Sequence, residues 1–211
     1  MKTMDTLENL PSGSMSSPAA RRNVDHIEEV LAAHFPTRGR VLEIAAGTGE
    51  HAVALARAFP GLEWTAGDPS AEARTSIAAW MGFHDVPNLQ APIDLDAAQP
   101  ASWPHGPFDA LLCINMIHIS PWSATEGLMA GAGEVLANPG GLLALYGPFR
   151  EAEVALAPTN AAFDDSLKSR DPRWGLRHLA SVLTEAKAHG LHLTRRIEMP
   201  ANNLMLLFRR A

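Results

Sequence analysis

The stretch "VLEIAAGTGEHA", Val41 to Ala52, limits the possible folds of this chain most sharply. A short apolar run passes through two alanines into two glycines one residue apart, and an alanine-rich helical pattern follows. A strand that opens onto a glycine turn and then a helix is how open α/β sheets cradle a nucleotide-like cofactor. Four further stretches read as strands: "LEWTAGD", "NLQAPIDLD", "FDALLCIN" and "LLALYGPF". "FDALLCIN" is continuously apolar from Ala110 to Ile114, as a central strand buried on both faces should be. Helical patterns separate them: "EHAVALARAF", "SAEARTSIAAWMGFH" with Ser70 as its cap, and "SPWSATEGLMAGAGEVLA" with Ser120 as cap and Pro121 in the first turn. Strands alternating with helices imply a parallel sheet with right-handed crossovers.

The last third breaks that rhythm. Residues 147–176 form a long polar connection, with a helix expected at "NAAFDDSLKSR". A helix in "LRHLASVLTEAKAHG" precedes two strands, "LHLTRRIEM" and "NNLMLLFRR", whose short link permits a hairpin but no parallel crossover. The expected fold is a Rossmann-like α/β sheet of seven strands, mostly parallel, with an antiparallel last strand and helices on both faces. Residues 1–17 read as a flexible leader. Residues 18–211 read as one domain with an N-terminal helix, "NVDHIEEVLAAHF", and a lid-like insertion at about 147–176.

Composition narrows the function. A 46% hydrophobic, 19% charged chain is an ordinary globular one, and its net charge of −6 argues against nucleic-acid backbones as partners. The first residues lack the apolar core of a signal peptide and no run is long enough to span a bilayer, so the expectation is a cytoplasmic protein without a membrane partner. Cys113 is the single cysteine, which leaves no disulfide framework, and the nine histidines share no ligand spacing, so no metal site is expected.

The glycine turn itself fits two cofactors. Gly47, Gly49 and Ala52 with Asp68 about 20 residues on satisfy a loose dinucleotide fingerprint. Against a dinucleotide stand Glu43 before the turn, two acids closing the next strand but one (Asp94 and Asp96), and the lack of a separate catalytic domain. "EIAAGTG", "AGDPS", "IDLD" and "NPGG" together resemble class I S-adenosylmethionine (SAM) methyltransferases. Longer strings carry the resemblance further. "FDALLCINMIHISPW", "GGLLALYGPF", "NAAFDDSLKSRDPRWGLR" and "MPANNLMLLFRR" are similar to a small methyltransferase-like family, domain of unknown function 938, which includes human methyltransferase-like protein 26. The likeness covers nearly the whole chain from about Ser17. One departure is Arg21, where that family commonly has an acid.

The resemblance implies SAM as cofactor and a set of residues around it. Glu43, Ala45, Gly47 and Gly49 belong to the first motif, Glu43 facing the cofactor's ammonium group. Asp68 and Pro69 belong to the second, Asp68 accepting from the ribose hydroxyls. Asp94, Leu95 and Asp96 close the third strand near the adenine. Asn115 and Met116 follow the central strand at the carboxyl edge, where ligands bind in open α/β sheets. His118 is the candidate base, since neutral imidazole can take a proton from a substrate hydroxyl or amine. Substrate candidates are Arg22, Asn23, Tyr146, Asn160, Asp164, Arg170 and Trp174. With Arg150 and Arg173 nearby in sequence, the arginines point to a small anionic acceptor. Two other readings fit the same residues: a SAM-binding regulatory module without turnover, and a nicotinamide-dependent reductase.

Overall fold

The computed structural model of the protein describes residues 7–9 and 13–211. Two short strands, β1 (Glu8–Asn9) and β2 (Met15–Ser16), pair antiparallel ahead of helix α1 (Pro18–His34). Then follow β3 (Gly39–Ile44), α2 (Glu50–Ala58), β4 (Leu62–Gly67), α3 (Ala71–Phe83), β5 (Ala110–Ile114), α4 (Trp122–Val135) and β6 (Leu142–Gly147). The chain ends with α5 (Pro158–Arg170), α6 (Leu179–Ala188), β7 (Leu191–Met199) and β8 (Asn203–Arg210). The main sheet has the order β4-β3-β5-β6-β8-β7, parallel from β4 to β6, with β8 antiparallel to both of its neighbours.

Alternation along the central strands splits the core in two. Leu42, Ile44, Leu111, Cys113, Leu143 and Leu145 pack with α4 and α6 on one face. Val41, Ala110, Leu112, Leu142 and Ala144 pack with Ile27 and Leu31 of α1, Leu55 of α2 and Ile77 of α3 on the other. Glu43 projects to this second face, where it is 2% exposed. Cys113 is buried and its thiol is pushed up to about 12 by burial, so it is a packing residue.

Three expectations need correction. The main sheet has six strands, because residues 88–96 only run beside β4, touching it at single bridges from Leu89 and Ile93. Gln90 donates to Trp64, but the next donor to the sheet is Ile93 to Ala66. Pro92 stands where that donor should be and has no N–H, so the register slips by one residue and the strand breaks. Ser70 does cap α3, accepting from Ala73 at 3.3 Å, whereas Ser120 does not cap α4: its hydroxyl donates to Met116 O at 2.7 Å. The leader is ordered where it is described from Ser14 onward. Ser14, Met15 and Ser16 are buried; Met15 N donates to Ser76 Oγ, and Ser16 Oγ and Ser17 N both donate to the Glu50 carboxylate. Residues 1–6 and 10–12 of the expected leader lie outside the described residues. Among the described residues no helix is long and apolar enough to cross a membrane.

Helix α4 approaches the segment after residue 96 through Gly127, where an added Cβ would collide with the Ala97 carbonyl. Gly127→Ala gains about 1 kcal/mol of helix propensity but forces a backbone contact apart, an overpacking cost of about 1–3 kcal/mol. Net destabilisation in urea denaturation is the expected result. A more stable variant would show that this contact yields freely.

Candidate active site

The carboxyl ends of the parallel strands open into a cavity of about 1120 Å³. Its floor comes from four neighbouring strand ends: Asp68 after β4, Glu43 with Ala45–Gly47 at β3, Ile114 and Asn115 at β5, and Tyr146 at β6. Helix α1 contributes Arg22, Asn23 and His26, and the 147–176 connection contributes Pro148, Thr159, Asn160, Phe163 and Trp174. Parallel connectivity brings these together, since every strand from β4 to β6 points the same way.

The backbone here is held in unusual conformations. Ala45 and Asn115 have φ of 56° and 62°, left-handed values that cost a non-glycine residue about 1–2 kcal/mol. Both sit where a strand turns away from the sheet and both line the cavity, the usual setting for retained strain. Gly47 is also left-handed, and a Cβ there would meet nothing within 4 Å, so open space lies beside it. The two glycines of the turn therefore differ in use. A Cβ on Gly49 would strike Ile77, which makes it a contact between α2 and α3, and it does not line the cavity.

Asp68 is 7% exposed, with Oδ2 accepting from Gly47 N and Oδ1 from Ser70 N, both at 2.9 Å. Glu43 accepts from Trp64 Nε1 at 2.9 Å and is otherwise enclosed. Burial, reinforced by the Asp68 charge and only partly offset by the Trp64 bond, raises its carboxyl to about 8. It is therefore mainly protonated at neutral pH. His51 at the start of α2 places Nε2 2.8 Å from Asn23 Oδ1, and burial lowers its imidazole to about 4. Asn23 and Tyr146 both line the cavity.

Several predicted residues lie elsewhere. His118 is fully buried and does not line the cavity. Its Nδ1 accepts from Arg177 N at 3.3 Å, its ring meets Phe149 edge-on, and its Nε2 has no partner among the described residues. Burial, with Arg177 close by, lowers it to about 3, so it is a neutral core histidine out of reach of a substrate. Met116 is buried against Ser120, and Leu95 fills the space that Gly67 leaves. Asp94 points outward and pairs with Arg74 at 3.2 Å; Asp96 caps its own turn through Ala98 N; exposed Pro69 does not line the cavity. Asp164 is spent on Arg150, Lys168 and Leu176 N, which pins α5 to the chain on either side of it. Arg173 pairs with Asp171 on the surface, and exposed Arg170 lies outside the cavity lining. The cavity thus keeps Glu43, Ala45, Gly47, Asp68, Asn115, Arg22, Asn23, Tyr146, Asn160 and Trp174. His51 and Phe163 are additions; His51 follows the glycine turn directly, a position that could have marked it. Among the described residues no three His, Cys, Asp or Glu side chains are grouped to hold a metal.

The architecture, a parallel sheet closed by an antiparallel β8 with a glycine turn after its first long strand, is the class I methyltransferase fold. An O-methyltransferase family protein from Burkholderia thailandensis superposes with a TM-score of 0.78 at 16% identity, over 92% of this chain and 56% of that one. The SAH-bound form of CalO1, a methyltransferase of calicheamicin biosynthesis, superposes at 0.71 with 18% identity, over 92% and 54%. A tRNA (guanine-N(7)-)-methyltransferase of Nitrobacter hamburgensis is 32% identical over 87 residues, 41% of this chain and 33% of that protein. The chain spans a third of that curated relative's length and little over half of those two structures. Residues 14–210 match the model of the protein family of unknown function DUF938, and the chain belongs to that family.

Glu43 gives a pH test. Its folded value lies above the ordinary 4.5, so the wild type is penalised progressively as pH rises from 4.5 through about 8. Glu43→Gln keeps an oxygen for Trp64 and removes the charge. Its stability in chemical denaturation should match wild type near pH 4 and exceed it increasingly up to pH 8, then level off. A constant difference across that range would mean the carboxyl is not held neutral.

Proposed function

We propose that this protein is a SAM-dependent methyltransferase acting on a small, anionic acceptor. The observation that carries the reading is the line of strand-end groups across one cavity: a buried carboxylate at Asp68, an open glycine turn at Gly47 and a buried carboxyl at Glu43. The donor set suits the cofactor. Asp68 offers remaining lone pairs to ribose hydroxyls, the bare Cα of Gly47 allows close approach, and Glu43 offers an acceptor to an ammonium group. Bound SAM supplies a methyl group already activated on sulfonium, so the protein's task is to bind, orient and exclude water. Arg22 on α1 brings positive charge to the cavity, and Phe163 and Trp174 give it an aromatic wall, as a planar anion would require.

Methyl transfer to RNA is the second reading, favoured by the match to a tRNA methyltransferase. The net charge of −6 weighs against it. Labelled SAM incubated separately with total tRNA and with a small-molecule extract decides between them, and no label in either leaves a binding module without turnover.

Calorimetry with SAH tests the cofactor assignment. Asp68→Ala would orphan the N–H groups of Gly47 and Ser70, so Asp68→Asn, which keeps one acceptor oxygen, is the cleaner variant. Loss of the charged acceptor should weaken SAH by about 1.5–3 kcal/mol, roughly ten- to a hundredfold. Unaltered affinity would move the ribose contact away from Asp68, and no SAH binding by wild type would end the methyltransferase reading.

A further inference from the structure

The cofactor reading leaves one charge without a partner. On the amino-acid end of SAM an ammonium group and a carboxylate share a single carbon, and Glu43 suits only the first of them. A carboxylate set beside an acid meets repulsion unless donors hold it. Glu43 bonds Trp64, and Trp64 packs on the sheet face that α1 and α2 cover. From those two helices Asn23 and His51 both reach the cavity, and they meet, His51 Nε2 lying 2.8 Å from Asn23 Oδ1. Ala19, Arg22, Asn23 and His26 all line the cavity and follow the three-to-four spacing of one helical face, so this face of α1 is turned toward a ligand.

We propose that Asn23 donates its side-chain N–H to the carboxylate of the bound cofactor, and that His51 holds Asn23 in the orientation that lets it do so. An amide oxygen can only accept, so His51 Nε2 carries the proton of their bond. Burial keeps the imidazole neutral at pH 7, and a neutral ring with its proton on Nε2 meets this requirement. Turning the Asn23 amide over would set its N–H group against the Nε2 proton, donor against donor. The amide is therefore locked with its oxygen toward α2 and its N–H group left to give. A neutral donor suits the place, because it holds a carboxylate without adding a positive charge beside the ammonium group at Glu43. Arg22 lies about 100° further round α1, and in this scheme it serves the acceptor while Asn23 serves the cofactor. His51 is a positioning residue, acting through Asn23. The proposal rests on the SAM reading for its ligand.

Two probes separate this role from a structural one: SAH, and its decarboxylated form, which keeps the adenine, ribose and ammonium group. Calorimetry should show wild type binding SAH about tenfold or more tightly than the decarboxylated form, the scale of a hydrogen bond to a charged group. Asn23→Ala should weaken SAH by a similar factor and leave the decarboxylated form within about twofold. His51→Phe should weaken SAH alone in the same way, and His51→Gln, whose Nε2 can again donate to Asn23, should restore most of the loss. Asn23→Asp keeps the oxygen that His51 bonds but turns the donor into a carboxylate. It should weaken SAH further while holding the decarboxylated form as well as wild type does, and it serves if Asn23→Ala does not fold. Equal loss of both probes, loss of neither, or a Gln variant no better than Phe overturns the assignment. If wild type binds SAH and only the selectivity is missing, this inference fails and the SAM reading stands. If wild type binds neither probe, the SAM reading fails and takes this inference with it.

Discussion

Asp68 holds the rim of this sheet together. One carboxylate oxygen takes the N–H of Gly47 and the other the N–H of Ser70, so the turn after β3 and the start of α3 are tied to the end of β4. Those two N–H groups lie at the start of loops with no strand partner, and leaving them bare in a buried site would cost about 1–3 kcal/mol each. The bond also presets the glycine turn: Gly47 is left-handed and Ala46 N already donates to Gly67 O, so the turn is shaped before any ligand arrives. The cavity depends on that shape. A preset site loses little conformational entropy on binding, which favours affinity without added contacts.

A second anchor lies one turn further on. Glu50 opens α2 and receives Ser16 Oγ, Ser17 N and Thr48 Oγ1, which draws the leader onto the end of the glycine turn. Trp80 Nε1 and Ser76 Oγ hold Met15 from the other side through α3. The start of α1 is thereby fixed close to Asn23, which meets His51 of α2. On the far side Asp164 does the equivalent for α5, and Asn160 Nδ2 reaches Asn202 O in the β7–β8 link. The added segments are fastened to the sheet by buried polar groups, each with its partners, which gives them one defined position over the strand ends.

Strand ends were legible in the sequence for a physical reason. Glu43, Asp68 and Asn115 each follow an apolar run in a parallel sheet, and such runs all deliver their last residues to one edge. The six strands of the main sheet, the five helices after α1 and the antiparallel close of the sheet followed from period and link length. What the sequence did not carry was which polar groups would already be engaged. Asp94, Asp96, Asp164 and Arg173 have the residue types a binding site needs, but Arg74, Ala98, Leu176 and Asp171 claim them. His118 has the right place after the central strand, yet the turn starting at left-handed Asn115 rotates it inward, under Gly147 and Phe149. The lost third strand turned on one missing N–H at Pro92. His51 was hidden among nine histidines because its partner, Asn23, stands 28 residues away on another helix.

The charges inside the cavity are fewer than its acids imply. Glu43 is held mainly neutral at pH 7 by burial, and the Asp68 carboxylate accepts from two backbone N–H groups. The imidazole of His51 is neutral too, so the floor under the glycine turn is nearly uncharged apart from one satisfied carboxylate. Among the described residues, the arginine that lines the cavity is Arg22, on α1. Such a cavity does not trap a cation by field alone, because buried acids that have already taken a proton offer little attraction at a distance. In the proposed reading, a cationic group docking at Glu43 favours loss of its proton, so its affinity would rise with pH toward about 8. The proposed anionic acceptor would lie at the other end, toward Tyr146 and α1.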